Sequence, residues 1–366
     1  MILKELYLKN FRNLSRIEVY CENPINVIWG DNAQGKTNIL ESIYLLSNLK
    51  SFRQSKNIEL IKFNESESLI SGSVDDKGLV NKLKVNLFSN KRRQILNNCK
   101  VEDLTQYLGV LRAVLFTPEE IFTLRGYPVG RRALIDRAVL QTEVIYLKYY
   151  QSYLKILKHR NYLLKNKTYT DQILVWNKTL AANGAKIRKY RQNFIERINP
   201  ILKTVYKSIC YDQEDINIKY SIDFKSENEL ANELIEDLNK NIKKDFSTGI
   251  TASGPHRDEV FIEINDKPLK FFGSQGQQRS FLLAFKAAQI IDQEKLFGTS
   301  PILLLDDLSS ELDDCRQSNF LNFLIKQNCQ VFLTTVQPKK FIQFIDDKAD
   351  YFSIKNGFLS KNKKFF

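Results

Sequence analysis

The eight residues Gly30-Asp31-Asn32-Ala33-Gln34-Gly35-Lys36-Thr37 place two glycines, a lysine and a threonine at the spacing G-x-x-x-x-G-K-T. Glycine at these positions lets the backbone wrap closely, so that several amide N–H groups point into one concavity of a size for phosphate. The lysine would reach the β- and γ-phosphates of a nucleoside triphosphate, and the threonine hydroxyl would ligate Mg²⁺. The flanks are those the chemistry requires: an apolar strand, Ile25-Asn26-Val27-Ile28-Trp29, before the loop and the helix Lys36–Leu49 after it. ATP with Mg²⁺ is therefore the expected ligand, contacted by Gly30 to Thr37 and by Asn38.

A phosphate loop needs a carboxylate to hold the metal. Pro301-Ile302-Leu303-Leu304-Leu305-Asp306-Asp307 supplies it, because four consecutive aliphatics predict a parallel strand buried on both faces and ending in acid. Asp306 is the expected magnesium carboxylate. Asp307, one residue on, would face the γ-phosphate and polarise the attacking water, with Lys36 sharing the catalytic work. A helix cap is the plain alternative for an acidic pair.

Gly273-Ser274-Gln275-Gly276-Gln277-Gln278-Arg279 is a polar turn running into the apolar helix Ser280–Gln293. It is similar to the Ser-Gly-Gly-Gln signature of ABC-type ATPases, here in the order Ser274, Gln275, Gly276, Gln277. A hydroxyl and free amides at a helix start form a second anion site, and one subunit has no need of two γ-phosphate cradles. The trans reading is that Ser274 to Gln277 serve the ATP of a facing copy; a serine N-cap is the local one. Ser310 and Asp313, within Ser309-Ser310-Glu311-Leu312-Asp313, resemble the D-loop of the same proteins. Their switch histidine is absent, since the next strand ends Thr334-Thr335. Thr335 is the expected occupant of that place, and a hydroxyl there does not act as a titrating base. Slow hydrolysis and a switch-like use of ATP follow.

The surrounding elements read as an α/β protein. Leu3–Leu8, Ile17–Tyr20, Leu83–Phe88, Gln94–Leu96, Ala113–Phe116, Val260–Ile264 and Gln330–Thr334 have strand character, and Arg316–Gln327 is helical. Between Pro128 and Val205 the pattern turns helical: Ile145, Tyr149, Tyr153, Ile156, Leu163 and Leu164 recur at helix spacing, with breaks expected before Trp176 and at Pro200. A strand at Ile216–Ile222 and a helix at Glu229–Ile242 follow. The expected division is residues 1–112 and 249–366 as two halves of an ATPase lobe with mixed sheet and helices, and 113–248 as an inserted, mainly helical second lobe.

The net charge of +13 is unevenly placed. Lys148 to Arg197 hold twelve cations against two acids, a net +10, with tyrosines and Trp176 interleaved. Cations beside aromatics suit a phosphate backbone with rings to stack, whereas a solvated helical face is the bland alternative. No run of eighteen apolar residues exists, so no membrane span is expected, and the dispersed cysteines fit a reduced cytosolic setting.

Beyond these motifs, several stretches resemble the RecF family of SMC-like ATPases. They are Leu8-Lys9-Asn10-Phe11-Arg12-Asn13, Asn32 to Tyr44, Lys50-Ser51-Phe52-Arg53, Phe116-Thr117-Pro118-Glu119-Glu120, Arg131-Arg132-Ala133-Leu134-Ile135-Asp136 and Ser253-Gly254-Pro255-His256-Arg257-Asp258-Glu259. The resemblance implies an ABC-type P-loop ATPase head. It also implies a cytosolic protein that dimerises on ATP and binds duplex DNA or its junction with single strands. Such a protein would act in gap repair and replication recovery, helping RecR and RecO place RecA. Arg12 and Asn13 would lie near the nucleotide. Arg131 and Arg132 would contact DNA or pair with Asp136, and Lys186, Arg188 and Lys189 are further candidates for DNA contact. His256 reads as a hydrogen-bonded structural residue. The competing assignment is the ATPase subunit of an ABC-type complex unrelated to DNA. The basic helical insertion argues against it, and the 237 positions from Thr37 to Ser274 lack the sustained heptads of a long coiled-coil arm.

Overall fold

Along Ile2–Phe11, Leu6 and Leu8 share a face by alternation, the pairing shifts register between Leu3 and Glu5, and Leu3, Leu6, Leu8 and Phe11 are all buried. This strand lies inside a six-stranded antiparallel sheet ordered Leu14–Tyr20, Ile2–Phe11, Glu67–Asp76, Leu79–Phe88, Arg92–Leu96, Cys99–Lys100. The computed structural model that defines this architecture describes residues 1–167, 170–210, 214–307, 314–327, 329–339 and 349–362.

The second six-stranded sheet positions the chemistry. Its order is Phe358–Asn362, Ala349–Lys355, Ile25–Trp29, Val331–Thr335, Ile302–Leu305, Ala113–Phe116, parallel throughout except for the terminal pair. Registers such as Leu305 opposite Leu333 and Thr335 opposite Trp29 bring the carboxyl ends of the three central strands together. Ligands of open parallel sheets bind at such an edge. All four residues of Ile302–Leu305 are fully buried, as their apolar run predicts. The helix Lys36–Asn48 packs against strands of both sheets, and Ile39 to Ser47 are buried without interruption. It ends at Leu49, in the left-handed region at φ 54°.

The chain forms two compact units. The first comprises Met1–Ile121, Thr204–Gln213 and Gln275–Phe366; the second comprises Phe122–Lys203 and Glu214–Ser274. The sequence reading placed the return to the ATPase half at 249, whereas the structure returns at Gln275. Pairing accounts for the difference, because Val260–Ile264 lies between Ile216–Tyr220 and Lys267–Pro268 in a three-stranded sheet of the second unit. The remainder of that unit is helical, led by Tyr146–Lys165 and by Thr170–Cys210, whose last residues count with the first unit.

Pro200 does not break this long helix. Proline removes one i→i−4 hydrogen bond, but buried Ile198 and Leu202 anchor the chain on either side of it. Asn199 adds two hydrogen bonds to the backbone of Ile218, at 2.9 and 3.0 Å.

Candidate functional site

Gly30 and Gly35 adopt φ of 151° and 113°, conformations that favour glycine. A side-chain carbon on Gly35 would come within 2.9 Å of Asn13 Oδ1 and of Leu14 Cδ2, and one on Gly30 would strike the carbonyl of Ile354. The loop therefore closes as a bare-backbone cradle. Lys36 Nζ donates to the carbonyls of Gly30 and Asp31 at 2.7 and 2.8 Å, across the mouth of the loop. Burial lowers the pKa of this ammonium, while the nearby Asp307, Asp306 and Asp31 act in the opposite sense.

Thr37 Oγ1 donates to Asp306 Oδ1 at 2.9 Å, and Thr334 Oγ1 donates to the same oxygen at 2.7 Å. Thr334 Oγ1 also accepts the N–H of Asp307 at 3.1 Å, and Asp307 takes a left-handed backbone at φ 43°. Burial raises the Asp306 pKa, and the Thr334 and Thr37 hydroxyls and the charge of Arg53 pull it back down. A divalent cation fits this donor set, since it would restore the charged carboxylate where two hydroxyls and one carboxylate already converge. Thr37 and Asp306 are the residues that would hold it.

The sequence reading named Thr335 as the switch position. Its hydroxyl instead accepts the N–H of Gln337 at 2.9 Å and its side chain is fully buried, so the threonine touching the Asp306 carboxylate is Thr334. Both residues lie in a strand buried throughout, where polarity carries no signal of which one faces the site.

Asn13 lies against the loop: Nδ2 donates to Gln34 O at 3.1 Å, and Oδ1 accepts from Asn38 Nδ2 at 2.8 Å. Asn38 in turn accepts from Arg53 Nη1 at 2.9 Å. Arg53, which the sequence marks only through the family resemblance, is a cation at the edge of the site. Arg12 differs from expectation. Its guanidinium pairs with both oxygens of the fully buried Glu41, at 2.7 and 2.9 Å, and donates to Ser55 and to Glu59 O. It ties residues 51–59 to the helix Lys36–Asn48. A further brace comes from the last hairpin, where Asn356 N donates to Gln34 Oε1 at 2.5 Å and Gly357 turns at φ 76° against Asn13 O.

Ser274 lies just ahead of the helix Gln275–Phe297, which begins five residues earlier than the sequence suggested, and Ser274 and Gln275 are both exposed. The same helix is tied within the first unit by a buried ion pair, Lys286 Nζ to Glu120 Oε1 at 2.9 Å. Ser310 and Asp313 fall outside the described residues.

The expected DNA contacts need revision. Arg188 is buried and forks onto Asp258 at 2.8 and 3.0 Å, while Arg131 is buried and pairs with Glu259. Arg132 donates to Asp258 O at 2.7 Å. Asp136, the partner expected for Arg131 and Arg132, is held by Arg191 and Tyr146. Lys189 Nζ bonds Lys225 O over the ring of Phe224, and Lys186 sits 4.3 Å over Tyr149. These cations organise the second unit. Its exposed cations instead include Lys148, Lys155, Lys158, Lys165 and Lys178.

His256 belongs to the same framework. Its Nε2–H donates to Thr251 O at 3.1 Å and Nδ1 accepts from Tyr153 Oη at 2.5 Å, and burial lowers its pKa to about 4. A neutral, structural imidazole results, as the sequence reading preferred.

The family described as RecF/RecN/SMC N terminal domain matches residues 2–358. The DNA replication and repair protein RecF of Syntrophotalea carbinolica is 40% identical over 337 residues, covering 92% of this chain and 93% of the relative. That of Geotalea uraniireducens is 40% identical over 341 residues, with the same coverage. Among solved structures, the recombination mediator protein RecF-ATP in the RecFOR pathway superimposes with a TM-score of 0.88 at 31% identity, covering 99% of both chains. An Smc head bound to the C-winged helix domain of ScpA shares the fold, with a TM-score of 0.58 at 14% identity over 99% of this chain and 97% of that one. Together with the phosphate loop, the Asp306 strand and the paired sheets, these likenesses show that the chain belongs to the RecF/RecN/SMC N-terminal domain family, within its RecF branch.

Proposed function

We propose that this chain is a slow, switch-like ATPase that pairs with a second copy when Mg-ATP binds and uses the pair to engage DNA. The observation that carries the reading is the convergence of Thr37, Thr334 and Asp306 beside Lys36. Backbone amides of Gly30 to Thr37 take the phosphates, and Lys36 exchanges its two carbonyl partners for phosphate oxygens. Bound magnesium supplies charge neutralisation at the β- and γ-phosphates, with Thr37 and Asp306 as its protein ligands. Asp307 orients the attacking water and accepts its proton. No histidine stands at the end of the strand Val331–Thr335, which favours slow turnover.

Ser274 to Gln277 complete the site of the facing copy in this reading, with Ser310 and Asp313 at the same interface. DNA, duplex or at its junction with single strands, is engaged through the exposed cations of the second unit. The curated relatives are DNA replication and repair proteins, and a solved relative is placed in the RecFOR pathway. That supports a cytosolic role in gap repair and replication recovery alongside RecR and RecO, preparing strands for RecA.

Size-exclusion chromatography with and without Mg-ATP tests the reading. The expected result is a monomer without nucleotide and a dimer with it. Asp307→Asn should trap the dimer, and Ser274→Arg should abolish pairing while leaving ATP binding intact. A wild-type chain that stays monomeric in saturating Mg-ATP, with and without DNA, refutes the mechanism.

A further inference from the structure

The second unit carries a cleft of about 540 Å³ that the nucleotide chemistry does not use. One wall is a single face of the helix Tyr146–Lys165, where Lys155, Ile156, His159 and Tyr162 recur at helix spacing. Lys158 also lines the cleft, as does Trp176 of the next helix. The His159 and Trp176 rings lie 4.6 Å apart between centroids, tilted by 58°. Trp176 is held from behind by the apolar cluster of Leu163, Leu164 and Ile173, and Tyr162 is 64% exposed.

Charge and shape together define the ligand class. The helix Tyr146–Lys165 has no acidic residue, and its Lys155, Lys158 and Lys165 are exposed. Neighbouring helices add exposed Lys178, Lys243 and Lys244. Asp245, the acid nearest these last two, is fully buried against Arg160. An aromatic slot ringed by cations calls for a ligand with flat π-faces and regularly spaced negative charge, which describes unpaired nucleotides. Paired bases present no free faces, so a duplex would meet only the lysines.

We propose that this cleft stacks unpaired bases of single-stranded DNA on Trp176, His159 and Tyr162 while Lys155 and Lys158 hold the flanking phosphates. The proposal rests on the DNA reading above and narrows it to the single-stranded arm of a junction.

The test uses the full chain with Mg-ATP and two probes: a duplex with a thymidine-rich single-stranded extension bearing one 5-iododeoxyuridine, and a blunt duplex carrying the same base in a pair. Irradiation should link the extension to Trp176 or Tyr162, as read by peptide mass spectrometry, and should not do so for the blunt duplex. Trp176→Leu should weaken binding of the extended probe about ten-fold and leave the blunt probe unchanged, and Trp176→Phe should keep most of the affinity. Lys155→Glu with Lys158→Glu should reduce the salt slope on the extended probe by about 1.4.

Three results overturn the proposal while leaving general DNA binding intact: cross-links only outside the cleft, a folded Trp176→Leu protein with unchanged extension binding, or equal losses on both probes. Displacement of the rings' fluorescence response by an acidic, phenylalanine-bearing peptide, with none from the oligonucleotide, also overturns it and assigns the cleft to a protein segment. Absence of binding to either probe by the wild-type chain refutes the underlying DNA reading as well.

Discussion

Thr37 and Thr334 donate to the same oxygen of Asp306, one from the first turn of a helix and the other from the end of a strand. The second hydroxyl also accepts the amide of Asp307, so one side chain holds the Asp306 carboxylate and the Asp307 backbone together.

That shared contact predicts an asymmetry between adjacent threonines. Thr334→Val should lower Mg²⁺ affinity or turnover about 10- to 100-fold, the usual effect of losing an outer partner of a metal ligand. Thr334→Ser should restore most of the loss, and Thr335→Val should have a far smaller effect. Magnesium titrations of ATP hydrolysis check this. If Thr335→Val proved the more damaging change, the assignment of Thr334 would fail.

Arg12 is expected to matter for stability before it matters for nucleotide. Removing it leaves Glu41 buried with Ser51 and a more distant Arg53, at 3.7 Å, as its partners. Breaking such a pair from one side costs about 3–5 kcal/mol. Arg12→Ala should lower the urea midpoint accordingly, and adding Glu41→Gln should recover part of the loss by removing the stranded charge. A double variant no more stable than the single one would count against this account.

A similar argument applies to Arg188 and Asp258, both buried. Arg188→Glu should unfold or strongly destabilise the second unit, again by about 3–5 kcal/mol. Any loss of DNA binding should then track the loss of fold in circular dichroism. A well-folded Arg188→Glu protein with selectively weakened DNA binding would return this residue to the DNA surface.

His256 gives a pH signature with a definite sign. Its folded pKa of about 4 lies below the unfolded value of about 6.5. The unfolded chain therefore binds the extra proton between those limits, and stability falls as pH drops from about 6.5 towards 4. The full effect is on the order of 3 kcal/mol. His256→Gln should flatten that part of the stability profile in urea titrations at a series of pH values. An unchanged slope would show that the imidazole titrates freely.

The chemistry that lay in contiguous residues was legible from sequence. Gly30 to Thr37 and Ile302 to Asp306 each carry their own local context, and both stand where that context predicts. What escaped depended on distant partners. The cations at 186, 188 and 189 look alike in sequence, and nothing near them announces Asp258 or the carbonyl of Lys225. The strand Glu67–Asp76 gives no clear sequence signal because Ser71, Gly72 and Ser73 blur its alternation. Cleft residues such as His159 and Trp176 were visible only as part of a basic, aromatic stretch, since their pairing requires two helices side by side.

The brace from the last hairpin has a consequence for how the protein is made. The strand Ile25–Trp29 finds both of its neighbours, Val331–Thr335 and Ala349–Lys355, only after most of the chain has left the ribosome. Asn356 then fastens Gln34. The phosphate loop is thus synthesised well before the strands and the hairpin that frame it.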